Sequence, residues 1–382
     1  MSEYQYYEFQ AIDRPLTEKE MRELRSFSTR ARITPTSFVN DYSWGSFKGN
    51  ADEWMEKYFD AFLYHANWGT RVLKLRLPSE LLSLGTVQEY CSGDSASVWE
   101  ADGKIILSLF CENERGGEWM EGEGRLSSLI SIRAEMACGD LRPLYLCWLL
   151  GAQSGEFDGH EKEPPVPAGL KEPSASLRCF AEFLLIDSDL MHVAAGPSLP
   201  RQNAMLKRSE VQAWVAALPA AEKDNMLSRL IVDTERPLAW VLRKRYCEER
   251  TGDTAGPTVA PAARRSAGEL LEAAKVYREH RLRLESERLA REKERRLREA
   301  AIARQRYLDD IAGRTSLLRN EVDVLIATRQ PKRYDRAVEL LIDLRDLDAR
   351  STTGEFRLLL EALRKAHAGK PSFIKRLRQA GL

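Results

Sequence analysis

The chain has 382 residues, of which 43% are hydrophobic and 30% are charged, and its formal net charge at pH 7 is zero. This composition supplies enough apolar surface for several cores, and it excludes collagen-like, low-complexity and wholly disordered proteins. No apolar run reaches the ~20 residues of a membrane span, and residues 1–15 lack the features of a secretory signal, so we expect a cytoplasmic protein without membrane contact.

The charges are distributed unevenly along the chain. From Arg264 to the end there are 29 basic and 19 acidic side chains, a net charge of +10, so residues 1–263 carry −10. The asymmetry predicts contact with an acidic partner or docking between the two halves. The alternative is an ordinary charged surface helix.

The first part of the chain mixes strand and helix patterns. An aromatic run at 4–12 predicts a strand, and Thr17 with Glu20 forms a capping box that predicts a helix to about residue 30. Trp54, Tyr58, Phe62 and His65 recur at steps of three and four, which predicts a helix over 52–67.

Strand patterns dominate the next stretch. Alternation predicts a strand at 71–77, and Asp102-Gly103 between two apolar runs predicts a hairpin. The apolar run 126–132 is interpreted as another strand, and residues 140–150 as a buried helix. Residues 1–152 therefore predict one α+β domain, because the elements do not alternate regularly.

Pro- and Gly-rich segments and stretches with helical spacing divide residues 153–382 into linkers and helical regions. The fold class expected is an α+β N-terminal domain followed by mainly α-helical middle and C-terminal regions with a long charged helix. After the α+β domain we expect a linker at 153–174, a small helical domain at 175–250, a linker at 251–263, a long charged helix at 264–313 and a helical hairpin domain at 314–382.

The long helix is the main candidate for a contact surface. Residues 269–312 contain no Pro or Gly, and the heptad that begins with Leu282 and Leu289 breaks at Arg296, which favours a charged single helix over a sustained coiled coil. Its arginines and the basic tail could contact another protein subunit, a second copy or nucleic acid. The residues expected to do so are Arg281, Arg288, Arg291, Arg295, Arg298, Lys375, Arg376 and Arg378.

The sequence predicts no catalytic residue, no metal site and no cofactor site. The sequence has no HExxH, no Walker A motif and no GxGxxG, and its histidines and cysteines do not cluster. The six cysteines, including Cys147 and Cys179 in apolar surroundings, predict buried free thiols rather than a disulfide framework.

A dense aromatic segment lies near the N-terminus. It could form a recognition pocket from Asp41, Tyr42, Trp44 and Trp68. The alternative is that these aromatic rings form the core of a small domain.

Several C-terminal stretches carry a family resemblance. The tail of bacterial SWIM zinc-finger proteins is similar to three segments of this chain, YDRAVELLIDLRDL at 334–347, LRKAH at 363–367 and KPSF at 370–373, together with Phe356. The stretch 214–223 is similar to another segment of the same group of proteins. The CxC…CxH zinc motif is absent, so no metal or DNA role carries over. The resemblance implies a bacterial helper within a multi-protein system, and the N-terminal domain resembles uncharacterised bacterial proteins.

Together these features lead us to expect a non-enzymatic protein-interaction or scaffold component that docks through its C-terminal arm. The alternative is a nucleic-acid-associated factor that uses the arginine-rich helix. A third hypothesis is an enzyme with a site in the aromatic N-terminal domain.

Overall fold

A computed structural model describes residues 4–112, 122–201, 208–232, 264–351 and 354–382, together with residues 238, 241, 242, 245, 246 and 249. The chain forms two compact units, Met1–His280 and Arg281–Leu382. The first unit contains an antiparallel sheet with helices, and the second is helical. The fold class expected from the sequence is therefore confirmed.

The N-terminal unit is built on one seven-stranded antiparallel sheet with the order β2-β3-β1-β4-β5-β7-β6. The strands are β1 (Gln5–Gln10), β2 (Arg32–Thr34), β3 (Ser37–Tyr42), β4 (Ala61–Ala66), β5 (Arg71–Pro78), β6 (Ala96–Ala101) and β7 (Lys104–Cys111). Successive side chains of a strand point to opposite faces, so each face carries its own core.

Helices cover both faces of this sheet. Among the described residues, the helices with complete bounds that precede the long helix are α1 (Glu18–Phe27), α2 (Ala51–Lys57), α3 (Leu84–Tyr90), α4 (Arg125–Ala137), α5 (Arg142–Gln153), α6 (Ala175–Phe183), α7 (Ser188–Ala194), α8 (Arg208–Ala217) and α9 (Ala220–Val232). One face of the sheet, with Leu63, Leu73 and Leu107, packs on buried side chains of α4, α5 and α6, and the other, with Phe9 and Phe62, packs on α1 and α2.

Several local predictions are confirmed. Thr17 and Glu20 form the expected capping box of α1. Asp102 and Gly103 take left-handed backbone angles (φ +49° and +69°) in the turn between β6 and β7, as a tight hairpin requires. Pro143 lies in the first turn of the buried helix α5, where its missing amide hydrogen costs no helical hydrogen bond.

Two predicted elements are wrong. The helix expected over 52–67 ends after Lys57, and Ala61–Ala66 forms the central strand β4, paired with both β1 and β5. The strand expected over 126–132 lies in helix α4. In both places, packing against distant parts of the chain overrides the local pattern.

The long helix α10 (Ala267–Ile311) starts inside the N-terminal unit. Its Ala267, Leu270 and Ala274 belong to the main core, and Gly268 lies against the backbone of Gly159. The segment expected as the linker 153–174 also packs here, with Val166 and Leu170 buried. The second expected linker, 251–263, lies outside the described residues, as do Cys247 and most of residues 233–250 at the end of the expected helical domain.

The C-terminal unit continues from α10 through a 3₁₀ turn (Ala312–Arg314) into four helices with their own core. These are α11 (Thr315–Ala327), α12 (Pro331–Ser351), α13 (Glu355–Ala366) and α14 (Pro371–Gln379). Ile326, Ala337, Leu341 and Phe373 are among its most buried side chains.

Candidate functional site

The stretch 281–303 of α10 is the most exposed helical surface among the described residues. Every side chain in it is exposed or half-exposed. Leu282, Leu284, Leu289 and Leu297 are each between 50% and 62% exposed. Tertiary packing supplies most helix stability in globular proteins, so this stretch depends on its strong helix formers and on side-chain pairs along its own surface.

The five arginines predicted as contacts lie on one side of this stretch. They are separated by steps of seven, three, four and three residues, the spacing of neighbours along one helical face. We call Arg281, Arg288, Arg291, Arg295 and Arg298 the arginine row. Leu282 and Leu289 each follow a row member by one residue, which places them about 100° around the helix from it. Leu284 lies three residues after Arg281 and four before Arg288, on the side of the row itself.

Glutamates partly neutralise the arginine row. Arg281 lies 3.6 Å from Glu285, and Arg295 lies 3.7 Å from Glu299. Arg291 approaches a carboxylate to 3.9 Å, whereas Arg288 and Arg298 form no ion pair with any described residue. Exposed pairs of this kind contribute about 0.3–0.5 kcal/mol, so a partner can displace them easily.

The basic tail predicted from the sequence lies on α14. Arg376 is engaged, because its Nε lies 2.6 Å from a carboxylate oxygen of Asp335. Lys375 and Arg378 line a cavity of about 490 Å³ with Ala368 and Ile374. Two of the three predicted tail residues therefore face one surface depression.

The structure places the predicted aromatic pocket residues at one end of the sheet, on the ends of different strands. Asp41 and Tyr42 close β3, opposite the beginning of β1. Trp44 is 70% exposed and lies under the guanidinium of Arg30, with 5.3 Å between the Arg30 carbon Cζ and the ring centroid. Trp68 lies in the turn between β4 and β5 and is also exposed.

The aromatic side chains that form the second core are different ones. Phe9, Phe38, Trp54 and Phe62 are buried and pack edge-on or stacked on one another. Trp54 therefore lies in this core, whereas Trp44 and Trp68 are exposed.

A buried ionic cluster occupies the opposite end of the sheet. Asp60 accepts hydrogen bonds from Arg76 (2.8 and 3.1 Å) and from the amides of Ile12 and Asp13. Arg133 of α4 pairs with Asp13 at 2.5 Å. Burial raises the pKa of Asp13, whereas that of Asp60 is lowered because burial is outweighed by Arg76, Arg133 and the amide donors. Two acids balance two bases, which indicates a structural cluster.

Sequence reasoning missed a row of buried polar side chains beside the predicted aromatics. Tyr6, His65, Arg71 and Cys111 are direct cross-strand neighbours on β1, β4, β5 and β7. All four are buried. The strand at 71–77 was predicted with Arg71 at its start, but the register across four strands is needed to see the row.

Several of the cysteines are free thiols, among them Cys91, Cys111, Cys147 and Cys179. Cys147 is buried as expected, but the expectation for Cys179 is wrong, because α6 turns this side chain to solvent. Within the described ranges, no three His, Cys, Asp or Glu side chains are grouped as a metal site requires.

Comparison with known proteins identifies no relative of this chain. No family model, no curated protein and no solved structure matches it. Among the described residues, no helix has both the length and the apolar character that crossing a membrane requires.

Proposed function

We propose that the protein is a non-enzymatic interaction protein that docks on an acidic protein subunit through residues 281–303 of α10. The observation that carries the proposal is the set of four half-exposed leucines on this fully solvated stretch. Burying the exposed half of a leucine contributes about 1 kcal/mol, so the leucines together offer a partner a binding energy of several kcal/mol.

The charge of the stretch supports an acidic partner over a second copy. Residues 281–303 carry eight basic and five acidic side chains, a net charge of +3. Two copies aligned along this stretch would bring like charges within the screening distance of ~8 Å at physiological salt. A partner with an apolar strip flanked by carboxylates meets both the leucines and the unpaired arginines of the row.

Recovery of the partner by variants of the full-length protein tests this proposal. The L282Q/L289Q variant removes two leucines and keeps residues that favour a helix. The matched control, L317Q/L358Q, changes two exposed leucines of the C-terminal unit outside the stretch. We expect wild type and control to recover one acidic protein at constant stoichiometry and the L282Q/L289Q variant to lose it. Equal recovery by all three refutes the proposal.

The arginine row favours one second candidate, which is contact with nucleic acid. Five arginines on one side of a helix can follow a phosphate backbone. If they do, affinity for duplex DNA falls steeply with salt, and R288Q/R295Q lowers the slope of log affinity against log salt by about two. A salt-independent titration rejects this candidate.

A further inference from the structure

A cavity of about 530 Å³ opens where the buried polar row meets the first turn of α4. Its wall combines charged, polar and apolar groups from β5, α4 and the end of α6. The side chains that matter here are Arg71, Arg125, Leu129, Cys179, Phe183 and Leu185. The volume suits a small organic molecule.

Arg71 is a buried charge that has no counter-ion among the described residues. It is only 5% exposed. Its Nη1 donates to the carbonyl oxygens of Glu182 (3.3 Å) and Phe183 (3.1 Å), and its Nε has no hydrogen-bond partner. No carboxylate of the described residues forms an ion pair with it. A buried guanidinium without a counter-ion is destabilising, and a bound anion would offset that cost.

The first turn of α4 adds positive potential to the same cavity. Gly124, at φ +81°, precedes the helix and provides no side-chain cap, and the first turn holds no acidic residue. Gly124, Arg125 and Ser128 line the cavity. The amide groups at the start of a 13-residue helix attract anions, and here they adjoin the unpaired Arg71.

The described carboxylates that line the cavity lie away from Arg71 or at the rim. Glu123 is turned to Arg32, with 3.0 Å between the ion-pair atoms, and Glu182 is exposed at the rim. His65, beside Arg71 on the next strand, is neutral at pH 7. Burial and then the charges of Arg71 and Arg125 lower its pKa to about 4.

We propose that this cavity binds a small carboxylic acid, with its carboxylate at Arg71 and the first turn of α4 and its apolar body along Leu129, Phe183 and Leu185. A single negative charge matches the one buried guanidinium of this wall, Arg71. A phosphate dianion would bring a second charge toward the carboxylates of Glu123 and Glu182. The apolar wall favours an acid with a hydrocarbon body over a small polar one.

Calorimetric titration of the full-length protein tests the proposal. The probes are hexanoate, octanoate and phenylacetate, with hexanol, octanol, 2-phenylethanol and inorganic phosphate as controls. We expect at least one carboxylate to bind tenfold more tightly than its alcohol and than phosphate. The same ligand should slow the reaction of the exposed Cys179 thiol with a maleimide, because Cys179 lines the cavity.

Variants of the two arginines distinguish binding from folding. R71M should abolish carboxylate binding with little change in the unfolding midpoint. The loss of the hydrogen bonds to the Glu182 and Phe183 carbonyl oxygens opposes the relief gained by removing a buried charge. If R71M does not fold, the half-exposed Arg125 supplies the test, and R125Q should weaken binding about tenfold while R22Q, on the distant α1, leaves it unchanged. The proposal is overturned if no carboxylate binds more tightly than its alcohol, if phosphate binds more tightly, or if R125Q binds like wild type.

Discussion

Acidification should destabilise the N-terminal unit through His65. This side chain is 2% exposed, its Nδ1 has no hydrogen-bond partner, and its cross-strand neighbour is Arg71. Burial, followed by the positive charges of Arg71 and Arg125, lowers its pKa to about 4. In the unfolded chain the pKa returns to about 6.5.

The sign and size of the effect follow from these two pKa values. Between pH 6.5 and pH 4 the unfolded chain binds a proton that the folded chain does not, so the free energy of unfolding falls as the pH falls. At 1.36 kcal/mol per pKa unit, His65 removes about 2 kcal/mol between pH 7 and pH 5, and about 3 kcal/mol by pH 4.

Urea denaturation followed by tryptophan fluorescence measures this loss. All eight tryptophans lie within residues 1–280, so the signal reports the N-terminal unit. The H65Q variant should lose about 2 kcal/mol less than wild type between pH 7 and pH 5. The exposed His160 provides the control, and H160Q should follow wild type. An H65Q variant that loses as much stability as wild type refutes the reasoning.

Two further predictions concern the same unit and the same assay. D60A should cost about 3–5 kcal/mol, because it leaves Arg76 buried without its partner, and a loss below 1 kcal/mol contradicts this role. In G268A the new Cβ would lie 2.9 Å from the Gly159 carbonyl oxygen, a backbone atom, so strain of about 1–3 kcal/mol should exceed the helix-propensity gain of up to ~1 kcal/mol. G85A on α3 meets open space and should not destabilise, and equal effects of the two glycine variants would contradict the clash.

The parts of the fold that could be predicted are those specified by neighbouring residues. The Thr17–Glu20 capping box and the Asp102-Gly103 turn are complete within four residues. The prediction of a helix over 52–67 is wrong because the apolar spacing combines residues of two different elements. Trp54 lies on α2 and packs in the second core, whereas Phe62 and His65 lie on opposite faces of β4.

The candidate sites also differ in whether neighbouring or distant residues specify them. The arginine row follows from helical spacing alone, so its residues could be named from the sequence. The unpaired state of Arg71 depends on cross-strand neighbours 6 and 40 residues away, His65 and Cys111, and on α4, which was predicted as a strand. The sequence named Asp41, which the structure pairs with Tyr6 of the buried row, but it could not reveal the cavity.

The mass of the assembly that forms on α10 tests the central claim most directly. Light scattering coupled to size-exclusion chromatography of the full-length protein, recovered from native lysate at low salt, gives this mass. The account predicts the 43.5 kDa chain plus one acidic partner chain, and 43.5 kDa for the L282Q/L289Q variant. A homodimer, or a complex that the variant retains, would contradict it.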